Sequence, residues 1–227
     1  MIIDCISDLH GFFPPTEGGD ILLVGGDLTA RNTLPEYSQF YRWLSEQNYR
    51  YKVWIAGNHD SKLKDFMESD NYCPSSEMIY LEDSGCEIEG LKIWGIPWSL
   101  WFRRLSPHCA AYVLESDFEL SRKIGLIPTD THILLSHMPG WGQFDLVGSL
   151  DDSGDFHVGS RSISRWLADH YDTLKLFVCG HIHEGHGIYD QRALQMEFNG
   201  KAGPVILNAS HVDENYIPIN KPIRVIL

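Results

Sequence analysis

Asp8, His10, Asp27, Asn58, His59, His137, His181 and His183 each stand directly behind a short apolar run. The first run ends in Ser7-Asp8-Leu9-His10-Gly11. In extended chain, residues i and i+2 point the same way, so this segment presents a carboxylate and an imidazole to one spot. The second run ends in Gly25-Gly26-Asp27, where glycines let backbone approach closely and leave Asp27 projecting. A third ends in Gly57-Asn58-His59-Asp60, a fourth delivers His137 ahead of Met138-Pro139, and a fifth ends in Gly180-His181-Ile182-His183. Taken singly, each piece reads as an ordinary turn or a satisfied polar cap. Five of them in chain order, each behind a hydrophobic run, describe a site.

The donors are two carboxylates (Asp8, Asp27), four imidazoles (His10, His137, His181, His183) and the amide oxygen of Asn58. That is more than one ion in an open catalytic site needs, and it suits two ions sharing one carboxylate. Imidazole-rich, thiolate-free ligation favours Mn, Fe, Zn, Ni or Co over Ca and Mg, with Mn2+ the first choice. A structural zinc would recruit cysteine, yet the cysteines near these motifs, Cys5 and Cys179, fall inside the strands. Two divalent ions against two carboxylates leave a positive centre in an otherwise negative chain, which is the place an anionic phosphate would occupy. Two ions about 3.5–4 Å apart clamp the attacking and leaving oxygens of an in-line displacement and activate water as the nucleophile. His59 is left over as a proton donor for the leaving oxygen, since an ordinary imidazole pKa of about 6.5 suits that task.

The elements that must hold these residues are legible as short apolar runs of strand length: Ile2–Ser7, Ile21–Val24, Tyr51–Ala56, Leu91–Ile96, His132–Ser136 and Leu174–Cys179. Thr33 and Glu36 form a capping box ahead of Leu34, Tyr37, Phe40, Tyr41 and Leu44, which share one helical face. A second helix is expected over Leu114–Gly125, stopped by Pro128, and a third from Arg161 to about His170 with Ser160 as N-cap. Short strands follow Gly180, closing with Ile223–Leu227, while Gly140–Gly159 reads as a binding loop. Alternating strands and helices imply a layered α/β domain with its ligands at the carboxyl ends of strands.

The 227 residues fit one domain, 1–227, at roughly 150 residues per domain. With 43% hydrophobic and 22% charged residues, the chain can build a sizeable core. Acidic residues exceed basic ones by 31 to 18, a formal charge of −13, which argues against a nucleic-acid polymer as partner and leaves a small phosphorylated substrate. No apolar stretch approaches the ~18 residues of a membrane span, and no secretory leader is visible. Five cysteines without a C-x-x-C pair read as reduced core thiols of a cytoplasmic protein.

In this order, D-x-H, G-D, G-N-H-D, a lone His behind a strand and G-H-x-H resemble the calcineurin-like metallophosphoesterase superfamily, over Asp8 to His183. Gly180 to Gly185, Asn208-Ala209-Ser210 and Asn215 to Pro222 resemble its metallophosphoesterase-domain branch, related to class III cyclic-nucleotide phosphodiesterases. The resemblance implies a four-layer α-β-β-α sandwich, with two mixed β-sheets flanked by helices. It implies that Asp8, His10, Asp27 and His183 hold one ion, and that Asp27 bridges to a second completed by Asn58, His137 and His181. His59 would protonate the leaving group. Substrates of the family range over phosphomonoesters, phosphodiesters and cyclic nucleotides. The expected activity is therefore hydrolysis of small phosphodiesters or cyclic nucleotides, with a phosphomonoesterase as the alternative. A nuclease or a non-catalytic metal-binding scaffold stands further off, because no basic track is present and no ligand is missing.

Several residues are read as structural. Asp60 is taken as a solvated turn residue, His186 and His211 as loop histidines, and His108, His132, His157 and His170 as ordinary surface or capping groups. Trp94, Trp98, Trp101 and Phe102 are taken as core or pocket wall, and Arg103-Arg104 as a solvated pair.

Overall fold

A computed structural model describes residues 1–101, 110–148, 156–190, 197–198 and 201–227. Phe102, Arg103, Arg104, His108, Cys109 and residues 149–155 of the Gly140–Gly159 loop lie outside the described residues. The strands of the two large sheets are β1 (Ile2–Ile6), β2 (Gly19–Val24), β3 (Tyr49–Trp54), β4 (Met78–Tyr80), β5 (Ser84–Ile88), β6 (Leu91–Ile96), β7 (Ile133–Ser136), β8 (Leu176–Cys179), β9 (Gly187–Asp190), β10 (Val205–Asn208) and β11 (Ile223–Ile226). The helices are α1 (Leu34–Glu46), α2 (Leu63–Met67), α3 (Asp117–Ile124) and α4 (Arg161–Asp169).

Period-2 alternation along the central strands sorts their side chains into three cores. Ile3, Cys5, Ile21, Leu23, Val53, Ile133, Leu135, Leu176, Val178, Val205 and Leu207 point into the space between the sheets. Their neighbours Ile6, Leu22, Val24 and Trp54 point outward, onto Tyr37, Phe40 and Leu44 of α1 and Leu63 and Phe66 of α2. On the other sheet Ile96, Leu134, Phe177, Cys179 and Ile206 pack under α3 and α4. Strands covered on both faces read as unbroken apolar runs, which is why they are visible in sequence. The result is the expected four-layer α-β-β-α sandwich.

The first sheet has the order β11-β1-β2-β3-β4 and the second β9-β10-β8-β7-β6-β5. Strands β1 to β4 are parallel, and so are β6, β7, β8 and β10 along their shared edges; β11, β9 and β5 run antiparallel. Both sheets are mixed, and their parallel strands all end toward the same edge of the sandwich. There the sheets join: the Ser7 N–H donates to Ala209 O at 2.8 Å, and the His211 N–H to Ser7 O at 2.8 Å.

Local chemistry explains the helices. Thr33 caps α1 with the expected capping box to Glu36, and the Ser160 hydroxyl accepts from the Ile163 N–H at 3.1 Å to start α4. Helix α3 begins three residues later than Leu114, because Ser116 caps it and accepts from the Glu119 N–H at 3.3 Å. The five-residue helix α2 and the edge strands β4 and β5 are additions to the sequence reading, while β9 is one of the short strands expected after Gly180. Among the described residues, no helix is long and apolar enough to cross a membrane.

Candidate metal centre

The joined edge of the two sheets carries every residue singled out above. The loops after β1, β2 and β3 bring Asp8, His10, Asp27, Asn58 and His59; those after β7 and β8 bring His137, His181 and His183. Three groups of ligand atoms converge: Asp8, His10 and His183; His10, Asp27 and His59; Asp27, His137 and His181. Within each group the atoms lie within 4.8 Å of one another. His10 joins the first group to the second, and Asp27 the second to the third. Asp27 Oδ1 is 3.5 Å from His137 Nε2, and its Oδ2 is 3.7 Å from His10 Nε2 and 3.9 Å from His59 Nε2. On the first side, His183 Nε2 is 3.5 Å from Asp8 Oδ1 and 3.3 Å from His10 Nε2.

Whether these residues suit a cation can be judged from their hydrogen bonds. The His137 Nδ1–H donates to Gly25 O at 2.9 Å, which turns the Nε2 lone pair toward Asn58 Oδ1, 3.0 Å away, and toward Asp27. In the same way the His183 Nδ1–H donates to Asp213 O at 3.1 Å and leaves Nε2 facing Asp8 and His10. Carbonyls behind the rings fix the tautomers, as they do for metal-bound histidines. With those Nε2 atoms deprotonated, acceptor faces acceptor, an arrangement that a shared cation in place of the protons satisfies. Among the described residues the convergent donors are carboxylate, imidazole and amide oxygen, which fits divalent transition ions.

Protonation follows from the same crowding. Burial alone would disfavour the His137 imidazolium, yet the neighbouring Asp27 carboxylate outweighs it and pushes the pKa up to about 9. Burial pulls His10 down to about 4 and His181 down to about 3, so both rings are neutral near pH 7 and able to donate a lone pair. Asp8 and Asp27 stay ionised despite burial, held well below the usual range by His183 and by His137 respectively.

The backbone is bent to achieve this. Asp8 (φ 52°), His10 (φ 42°), Asp27 (φ 51°) and His181 (φ 68°) all lie in the left-handed region. Each such residue costs about 1 kcal/mol or more, and strain of this kind gathers at functional sites. Close approach adds a demand for glycine. A Cβ on Gly180 would lie 2.2 Å from Asp8 Oδ2, and one on Gly57 2.3 Å from Asp27 Oδ1.

Four residues of the site were missed in sequence or read differently. Asp60 is not a solvated turn: it is buried, accepts from the Gly57 N–H at 2.8 Å and the Leu28 N–H at 3.1 Å, and so ties the Asn58 loop to the Asp27 loop. Burial, with the Asp27 charge adding to it, pushes its pKa up to about 8. Ser210 donates to Asp8 Oδ2 at 2.8 Å, Asp213 orients His183, and Tyr216 packs its ring on His10 and His183. Ser210 and Tyr216 fall in segments that carry the family resemblance, but tertiary contact gives all four their roles at the site.

His211 is buried rather than in an open loop, its Nδ1–H donating to Asn220 O at 2.6 Å. His132 accepts from the Lys92 N–H, His157 pairs with Asp145 and His170 stacks on Trp166. Cys5 and Cys179 are buried free thiols, whereas Cys73 is exposed and Cys86 half-buried, so core placement holds for only two of the described cysteines.

With the fold and the cluster in place, comparison with known proteins fixes the class. The family model of calcineurin-like phosphoesterases matches residues 1–185. The metallophosphoesterase domain-containing protein 1 of Homo sapiens and that of Mus musculus are each 30% identical over 243 residues, covering 96% of this chain and 68% of theirs. An uncharacterised protein of Methanocaldococcus jannaschii is 29% identical over 194 residues, covering 83% of each chain. The fold is shared with the crystal structure of TT1561 of Thermus thermophilus, at a TM-score of 0.60 and 15% identity over 91% of this chain and 88% of that one. The chain belongs to the calcineurin-like phosphoesterase family. It is accordingly a metal-dependent phosphoester hydrolase.

Proposed function

We propose that this enzyme hydrolyses small phosphodiesters, cyclic nucleotides among them, with two divalent ions, Mn2+ by first choice, at the Asp8–His183 edge. The observation that carries this reading is the set of three overlapping Asp/His clusters, two of which share Asp27, with His59 the more open member of one. Asp8, His10, Asp27 and His183 would hold one ion, and Asp27, Asn58, His137 and His181 the other. When bound, such ions neutralise phosphate charge and lower the pKa of water.

The protein's own groups do the rest. Asp27 keeps the two clusters in one geometry, and the carbonyls of Gly25 and Asp213 hold His137 and His183 in the ligating tautomer. The His59 side chain is 18% exposed, against 2% for His10 and 0% for His137, so it faces incoming substrate and can pass a proton to the leaving oxygen. A net charge of −13 repels a dianionic monoester more than a monoanionic diester, which favours the diester. Reduced cysteines accord with a cytoplasmic setting.

The test is turnover of bis-p-nitrophenyl phosphate beside p-nitrophenyl phosphate by metal-stripped protein titrated with Mn2+. Metal-dependent turnover that favours the diester is expected. Preference for the monoester would move the enzyme to the phosphatase side of the family, and hydrolysis of nucleic-acid polymers at physiological salt would make it a nuclease.

A further inference from the structure

One aromatic ring packs edge-on against the histidines of the metal cluster. The Tyr216 ring centroid lies 4.8 Å from that of His10, 5.1 Å from His183 and 6.4 Å from His59, at interplanar angles of 75°, 90° and 63°. These contacts fall on one side of the cluster; on the other, His137 and His181 pack against each other at 5.0 Å. Tyr216 is nevertheless 48% exposed, so the ring borders the space from which a substrate arrives.

Its placement is enforced. Tyr216 has φ 61°, a conformation that aromatic residues seldom adopt. Asp213 holds the turn: its carbonyl accepts from the Tyr216 N–H at 2.9 Å, and its Oδ1 accepts from the N–H groups of Asn215 at 2.9 Å and Ile217 at 2.8 Å. That same carbonyl accepts from His183 Nδ1. The turn presenting the ring is thus fastened to one of the metal-donor imidazoles.

We propose that Tyr216 is the wall against which the leaving group packs, and that it makes the enzyme prefer planar aromatic substituents on phosphorus over small aliphatic ones. The inference rests on the reading above, in which the leaving oxygen departs beside His59. A ring flanking both His59 and the His10–His183 side then meets whatever that oxygen carries, and offset or edge contact between rings supplies selectivity of about five- to tenfold.

Phenylphosphonate and methylphosphonate test this, because they share a head group, differ in the ring and carry a C–P bond that ester hydrolysis leaves intact. Each is titrated calorimetrically into Mn2+-loaded wild type and into Tyr216→Ala, Tyr216→Leu and Tyr216→Phe, with metal content measured for every variant. Tyr216→Ala and Tyr216→Leu are expected to weaken phenylphosphonate about five- to tenfold and methylphosphonate less than twofold, while Tyr216→Phe holds both within twofold. Equal weakening of both ligands, or loss of bound metal, would show Tyr216 to be a structural prop and overturn the proposal. So would undiminished phenylphosphonate binding in Tyr216→Ala, or no binding of it by wild type. The readout is binding, so a wild type that discriminates between the phosphonates yet hydrolyses neither nitrophenyl ester refutes the reaction and not the wall.

Discussion

At the scale of single residues, surroundings separate groups that composition makes equal. His59 and His137 both face Asp27, but His137 is fully buried with its Nδ1 committed to Gly25, whereas His59 keeps part of its ring in solvent. Replacing His59 with Ala should therefore leave metal content unchanged and slow esters with poor leaving groups by about 10²–10⁴, the usual contribution of a general acid. Turnover of p-nitrophenyl esters, whose leaving oxygen needs little protonation, should fall about tenfold or less. Equal loss for both kinds of ester would remove His59 from the proton-donor role. Asp60 acts through others, since its side-chain oxygens pin Leu28 and Gly57, each next to a candidate metal donor. In Asp60→Asn the new NH2 group confronts one of those N–H donors. Stability is expected to drop by about 2 kcal/mol in denaturant titration and metal affinity by about 10–100-fold, as when outer-shell partners of metal sites are lost. An unchanged affinity would show that the two loops hold themselves in place.

At the scale of elements, the parallel strands aim the site. Their buried, in-register ladders, such as Cys5 beside Leu23 and Val178 beside Leu135, fix where each chain leaves its sheet to within a residue. The loops then have to cross at van der Waals distance. Gly180, where β8 passes Ser7 and Asp8, has no room for a methyl group: a Cβ there would lie 2.0 Å from Ser7 Oγ. Gly180→Ala should cost about 3 kcal/mol, the upper range for overpacking, and should abolish tight metal binding because Asp8 must move. Thermal unfolding and metal analysis of the purified variant check both parts. Retention of two ions per chain would mean that the sheets can part without disturbing the cluster.

At the scale of the whole molecule, the site is the seam between two sheets. One sheet supplies Asp8, His10, Asp27, Asn58 and His59, and the other His137, His181 and His183, so cations bound there would cross-link the sandwich. Ligands that bind only the folded state stabilise it by about 2.7 kcal/mol at a hundredfold excess over Kd. Chelation should accordingly lower Tm by several degrees, and Mn2+ should restore it in a concentration-dependent way. A Tm indifferent to both would separate metal binding from the integrity of the seam.

The sequence by itself determined the central strands and which polar residues stand behind them. Strands buried on both faces must be continuous apolar runs, so β1, β2, β3, β6, β7 and β8 showed in the chain, and the polar residues behind them stood out as available for chemistry. Thr33 and Ser160 marked helix starts because caps act within three residues. No local pattern encodes which loops meet. The edge strands β4, β5 and β9 are half-exposed and short, and they exist only because a neighbour offers its hydrogen bonds. Asp60, Asp213 and Tyr216 look like loop residues until the fold sets Asp60 against Leu28, Asp213 against His183 and Tyr216 against His10. Long-range contact decided these assignments, because burial and the facing of one group by another are properties of two segments together and neither segment carries them alone.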